Sequence, residues 1–267
     1  MNFNSARLIY FSPTGTTRKV IEALARGIEA ASITALDLTP PETNQPQVVI
    51  SGNDLAIIGA PVYGGRIPPD ARQRLEQING NGAAAVVLVM YGNREYEDAL
   101  LELKDVAIKA DFKPVAGGAF IGEHSYHTVD RPIAPGRPDS QDLKKAVAFG
   151  QAIRQKMAAI KEIDAMPPLT VPGNFPYKKR GQAPLTSPVT RETICTKCGQ
   201  CAGVCPKAVI IVGDTVMTEA AGCIHCTACV KNCPTGARTW EDSGIRNIAE
   251  WLSVNYYERK EPEMYFC

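Results

Sequence analysis

Residues 7–31 read RLIYFSPTGTTRKVIEALARGIEAA. A short apolar run, Arg7 to Phe11, passes through Ser12-Pro13-Thr14-Gly15-Thr16-Thr17 straight into a helical stretch, Arg18 to Ala31. Hydroxyls and free N–H groups at the start of a helix point at one place, and the helix dipole favours an anion there without any need for lysine. Strand, hydroxyl-rich loop and helix in that order read as a phosphate site. The competing phosphate motifs fail on spacing, because a P-loop needs G-x-x-x-x-G-K and a dinucleotide fold needs G-x-G-x-x-G after its strand. The plain alternative is an N-cap, since Ser and Thr begin many helices with no ligand nearby.

Working outward, short β-branched runs alternate with longer helical ones, the pattern of a parallel sheet covered by helices on both faces. Five strands are expected, at about Arg7 to Phe11, Ile33 to Leu38, Asp54 to Ala60, Ala84 to Tyr91 and Pro114 to Ile121, with a last helix from about Ser140 to Ile163. Ala56-Ile57-Ile58-Gly59 and Val86-Val87-Leu88-Val89 read as central strands buried on both faces.

At Ser12, Thr14, Gly15, Thr16 and Thr17 the sequence resembles the flavodoxins, whose first loop has the form S/T-x-T-G-x-T and surrounds the FMN phosphate. A doubly wound sheet binds its ligand outside the carboxyl ends of its strands, so the resemblance extends to two further loops. Pro61, Val62, Tyr63, Gly64 and Gly65 follow the third strand, and Tyr91, Gly92, Asn93, Arg94 and Tyr96 follow the fourth. In flavodoxins these loops flank the isoalloxazine ring. Gly64 and Gly92 are candidates for close backbone approach to it. Tyr63 and Tyr91 either stack on the ring or belong to the core. Gly122 to Thr128, with His124 and His127, reads as a polar surface loop, the alternative being a proton-supplying wall beside the flavin. Arg131 to Pro138 reads as connection only.

Eight of the nine cysteines fall into two copies of C-x-x-C-x-x-C-x-x-x-C-P, at Cys195, Cys198, Cys201, Cys205-Pro206 and at Cys223, Cys226, Cys229, Cys233-Pro234. Zinc ribbons, redox dithiols and disulfide frameworks also use C-x-x-C pairs, but none needs four cysteines per run. The prolines turn the chain after each run. The pattern resembles the two-cluster bacterial ferredoxins, in which the last cysteine of each run crosses to the other cluster. The resemblance implies that Cys195, Cys198, Cys201 and Cys233 hold one [4Fe–4S] cube and that Cys205, Cys223, Cys226 and Cys229 hold the other. Cys267 is expected to be an unpaired thiol with no role.

The domains expected are a flavodoxin-like α/β domain over 1–163, a semi-rigid connector over 164–190, a small α+β two-cluster domain over 191–240 and a helix and tail over 241–267. The connector carries six prolines between Pro167 and Pro188, a density that excludes helix and favours extended chain. Phe175 and Tyr177 are candidates to pin it, and Lys178-Lys179-Arg180 reads as a solvated charge run. The seventeen residues between the cysteine runs, with Gly213-Asp214 in their middle, read as a hairpin. Ile245 to Tyr257 reads as a helix docked through Ile248, Trp251 and Leu252.

A formal charge of +1 gives no electrostatic case for nucleic acid or an anionic membrane. No stretch approaches the about 18 uninterrupted apolar residues of a membrane span, and thiolates that hold iron must stay reduced. A cytoplasmic protein of a reducing, anaerobic compartment is expected. The resemblance as a whole is to flavodoxin–ferredoxin fusion proteins, and it implies electron transfer between two [4Fe–4S] clusters and FMN, in either direction, with a ferredoxin or oxidoreductase as partner. The alternative is an FMN-dependent reductase of a small molecule, marked by a pocket lined by Tyr63, Arg66, Tyr91, Arg94 or His124. A sensing or stapling role for the clusters is a third class. No dinucleotide fingerprint supports nicotinamide. If the connector holds flavin and clusters apart, exchange within a homodimer becomes the route.

Overall fold

The computed structural model describes Phe3, residues 5–41 and residues 48–267. Met1, Asn2 and Asn4, at the start of the expected 1–163 domain, lie outside the described residues, as do 42–47. The elements run β1 (Ser5–Tyr10), α1 (Thr16–Ile28), β2 (Ser32–Asp37), β3 (Val48–Val49), β4 (Leu55–Pro61), α2 (Pro69–Leu75), β5 (Ile78–Asn79), β6 (Ala84–Tyr91), α3 (Ala99–Lys109), β7 (Lys113–Ile121) and α4 (Ser140–Ala158). After the connector come β8 (Val189–Thr190), α5 (Gln200–Gly203), β9 (Ile210–Val212), β10 (Val216–Thr218), α6 (Ala228–Lys231), β11 (Arg238–Thr239), α7 (Ser243–Asn255) and β12 (Glu263–Phe266).

Five parallel strands stand in the order β7-β6-β4-β1-β2. Every residue of β6 and all of β4 but Pro61 are buried, as strands covered by helices on both faces require. One core lies under α2 and α3 and the other under α1 and α4. Helix α1 turns Val20, Ile21, Leu24 and Ile28 inward, the i, i+1, i+4, i+8 spacing of a single helical face. Helix α4 opens on a capping box in which Asp139 and Asp142 each accept from the other's backbone N–H. It stops at Ala158, short of the expected Ile163. Ile160, Ile163 and Met166 still pack on the core, around a 3-10 turn at Ile163–Ala165 whose three-residue repeat carries the same spacing.

The tail carries a strand the sequence did not indicate: β12 adds a sixth strand, antiparallel to β7, with Glu263 opposite Ala119 and Phe266 opposite Ala116. The connector is pinned by Tyr177, which stacks on the Arg66 guanidinium 4.5 Å from ring centroid to Cζ, while Phe175 is exposed; Leu169 and Val171 add an anchor, buried in the first core. The 131–138 segment likewise does more than connect. Ile133 is buried against Ala249 and Leu252 of α7, and Arg137 forms a buried ion pair with Asp142. Helix α7 docks through Ile245, Ala249 and Leu252, whereas Ile248 and Trp251, expected to dock it, are exposed.

The cysteine domain is two short antiparallel pairs, β9 with β10 and β8 with β11, with one turn of helix after the second cysteine of each run. Among the described residues no helix is long and apolar enough to cross a membrane.

Candidate functional site

A cavity of about 530 Å³ opens at the carboxyl ends of β1, β4 and β6, within the size range of cofactor sites. Thr14 and Thr16 line it from the first loop, Pro61, Val62, Tyr63 and Gly64 from the second, and Tyr91 and Gly92 from the third. The first loop is set by Gly15, whose φ of +80° at the N-cap of α1 is open to glycine at no steric cost. Ser12 stands behind the loop, its hydroxyl accepting from Arg18 N–H at 3.1 Å. Thr17 is buried, and its hydroxyl lacks a protein partner. An orphaned buried hydroxyl beside a helix N-terminus fits a bound phosphate. Gly64 has φ +62° and open space where a Cβ would stand.

Other expected ring residues turn elsewhere. Asn93 is buried and donates through Nδ2 to the carbonyls of Tyr256 and Glu258, each at 2.7 Å. Arg94 pairs with Glu97 at 2.7 Å. The Tyr96 hydroxyl meets Glu263 at 2.8 Å and Tyr265 at 2.9 Å. These three hold the C-terminal segment or their own loop; none of them lines the cavity. Gly65 accommodates Glu97, which would collide with a Cβ. Tyr91 lines the cavity from the core, its ring 5.4 Å from that of Tyr96.

The 122–128 loop is a wall of the cavity, not the polar surface loop expected. Gly122, Glu123, His124, Ser125 and Tyr126 all face it. Burial, with Lys231, Arg94 and His127 adding like charge, lowers the His124 pKa to about 4, so its imidazole is neutral at pH 7. Its Nδ1 accepts from Tyr126 N–H at 3.0 Å, which leaves the proton on Nε2. Burial raises the Tyr63 and Tyr126 phenols above their ordinary value.

Two further walls were not legible as such. Arg180 to Pro184 of the connector form one, and Cys223, Ile224 and His225 of the second cysteine run form the other. The charge run 178–180 is exposed but anchored at its ends: Arg180 donates to Ile67 O at 2.7 Å and Glu102 at 3.2 Å, and the Lys178 N–H donates to Asp98 at 2.6 Å. Glu102, fully buried, also takes a two-pronged pair from Arg66 at 2.6 and 2.7 Å. The cysteine domain is fastened by Lys207 to Asp70 at 2.6 Å, Arg74 to Pro206 O at 2.8 Å and Lys231 to Glu123 at 2.7 Å. Ile224 packs into the flavodoxin-side core, and His225 Nε2 lies 2.9 Å from Thr186 O.

The cysteines gather into two cages. Cys205, Cys223, Cys226 and Cys229 line one, Cys195, Cys198, Cys201 and Cys233 the other. The two runs share a backbone: φ is positive at Lys197 and Gly199 in the first and at His225 and Thr227 in the second. Alternation of right- and left-handed residues turns successive N–H groups inward, a concavity suited to an anionic cluster. Thr227, β-branched and buried, holds φ +61°, a conformation such residues rarely adopt. None of the nine cysteines is joined in a disulfide. Burial pushes the Cys226 thiol up to about 12, so metal must displace its proton. Among the described residues no three His, Cys, Asp or Glu side chains converge on a single-ion site. Four thiols spread around a cage are the donor set of an iron–sulfur cube.

Comparison with known proteins gives two family matches: a flavodoxin domain over residues 7–132 and a 4Fe-4S dicluster domain over residues 187–234. No curated protein matches the chain. Among solved structures, a flavodoxin from the domain Archaea is 13% identical, with 58% of this chain and 99% of that one covered at a TM-score of 0.38. A Streptococcus pneumonia TIGR4 flavodoxin is 15% identical, covering 57% and 99% at 0.38. Rubredoxin oxygen:oxidoreductase from Desulfovibrio gigas is 15% identical, covering 61% and 37% at 0.42. The flavodoxin domain implies FMN and the dicluster domain implies two iron–sulfur clusters. With a flavodoxin domain over residues 7–132 and a dicluster domain holding the eight cysteines of the two runs, the chain is a flavodoxin–ferredoxin fusion.

Proposed function

We propose that this protein passes electrons between an external redox protein and FMN through two [4Fe–4S] clusters held in series. The observation that carries the reading is the shared wall: Cys223, a thiol of one cage, faces the same cavity as Thr14, Tyr63 and Gly92. When bound, the clusters supply one-electron steps and the flavin stores one electron or two. Thr14, Thr16 and Thr17 with the α1 N-terminus would hold the phosphate, and the loops at Tyr63 and Gly92 the ring. Cys205, Cys223, Cys226 and Cys229 would hold the inner cluster. Cys195, Cys198, Cys201 and Cys233 would hold the outer one, with exposed Cys198 marking the edge a partner protein approaches. Flavin and clusters then meet within one chain, and exchange between protomers is not required.

The small-molecule reductase is the weaker reading. Arg66 and Arg94 are engaged with Glu102 and Glu97, while 180–184 and 223–225 close over the cavity. A flavodoxin-type carrier offers its flavin edge to a partner's face, and here that face is its own dicluster domain.

Anaerobic titration of the purified protein with a low-potential reductant tests the reading, with iron and FMN quantified on the same sample. The expected result is two [4Fe–4S] clusters per flavin and bleaching of both chromophores at mutually dependent potentials. Flavin without iron, zinc in place of iron, or turnover of a small acceptor with no protein partner would overturn it.

A further inference from the structure

Arg238 is a buried cation between the two cages. Only 3% of its surface is exposed, and among the described residues it forms no ion pair. Its Nη1 donates to Thr190 Oγ1 at 2.7 Å and its Nη2 to Thr218 Oγ1 at 2.7 Å, both neutral groups. The same Nη2 lies 3.9 Å from Cys229 Sγ, a thiol of the inner cage. Arg238 also lines the outer cage with Cys195, Cys198, Cys201 and Cys233. Its Nε is buried with no partner.

A buried guanidinium with no carboxylate is costly unless an anion faces it. The anions available in this domain are the two thiolate cages, each of which gains one negative charge when its cluster takes up one electron. We propose that Arg238 is a shared counter-ion for both cages, a fixed positive charge that raises the reduction potential of each cluster. This rests on the electron-transfer reading above and deepens it, because net charge and hydrogen bonds to sulfur are among the factors that set cluster potentials. A single cation within reach of both sites shifts both potentials in the same direction.

The two hydroxyl contacts give Arg238 a structural part as well, so the test separates charge from architecture. The reconstituted full-length protein is reduced with dithionite in an EPR-monitored potentiometric titration, alongside Arg238→Met, Arg238→Lys and the double variant Thr190→Ala/Thr218→Val. Arg238→Met is expected to disfavour reduction of both clusters at least tenfold, equivalent to about 59 mV for a one-electron couple. Arg238→Lys, which keeps the charge and loses the fork, retains more than half of the wild-type advantage. The threonine variant melts earlier with both potentials unmoved. If Arg238→Met fails to load iron, Arg238→Gln takes its place in the same comparison. Potentials unchanged in the neutral variant, a shift confined to one cluster, or equal shifts in the Met and Lys variants would overturn the proposal. Wild-type protein without two [4Fe–4S] clusters would instead overturn the electron-transfer reading itself.

Discussion

A Cβ on Gly92 would stand 2.2 Å from Cδ2 of His124, so the ring of His124 occupies the space that any other residue at position 92 would need. Both residues line the flavin-side cavity. Gly92→Ala is therefore expected to push the imidazole into the cavity and weaken FMN binding about tenfold, or ~1.4 kcal/mol. Gly92→Ala/His124→Ala should recover most of that loss. Fluorescence titration of apoprotein with FMN measures both, and a wild-type affinity in the single variant would refute the steric account.

Asn93 holds the chain after α7 through two carbonyls from a left-handed backbone, φ +66°. Asn93→Gly keeps that conformation available and removes the donors. Leaving the carbonyls of Tyr256 and Glu258 short of a partner is expected to cost about 1–3 kcal/mol in denaturant unfolding. FMN affinity should not change, because the side chain does not face the cavity. A large loss of FMN with intact stability would return Asn93 to the ring site.

Glu102 is the buried carboxylate that Arg66 and Arg180 share. Glu102→Gln strands two guanidinium groups and is expected to destabilise the fold by about 3–5 kcal/mol. The connector, fixed through Arg180 to Ile67 and through Tyr177 over Arg66, should become the first site of limited proteolysis. Wild-type cleavage kinetics between 166 and 188 would show the connector to be held by other contacts.

His124 titrates at about 4 when folded against about 6.5 in the unfolded chain. The unfolded state thus binds the extra proton first, and stability falls as pH drops from about 6.5 to 4, with a total cost on the order of 3 kcal/mol. His127, its pKa also lowered by burial, adds in the same direction. His124→Gln should flatten the stability profile over that window. Parallel curves for wild type and variant would mean that His124 is solvated in both states.

The sequence made the cysteine cages legible because two copies of one spacing leave few alternatives, and the resemblance then paired Cys205 with the second run and Cys233 with the first. Strands β4 and β6 were legible because unbroken apolar runs bounded by Gly and Pro have one reading in an α/β pattern. What escaped was long-range. Asn93, Arg94 and Tyr96 sit in the right loop for a flavin, and only the partners of their side chains, over 160 residues away for Asn93 and Tyr96, reveal another use. Strand β12 is four residues long, too short for periodicity to register. The flavin-side wall at Ile224-His225 lies inside a metal-ligand motif, which masks any second role for the residues between the cysteines.

Strand β12 completes the sheet of the first domain, yet it follows the dicluster domain in the chain. The ribosome therefore finishes the iron–sulfur module before the flavodoxin sheet receives its outermost strand, and the free edge of β7 waits until then. A single cut in the connector does not liberate two whole domains: the flavodoxin piece would lose its last strand, and the cluster piece would carry that strand away unpaired. Genetic separation of the modules calls for transplanting β12 as well, because the iron–sulfur domain is, in topological terms, an insertion within the other.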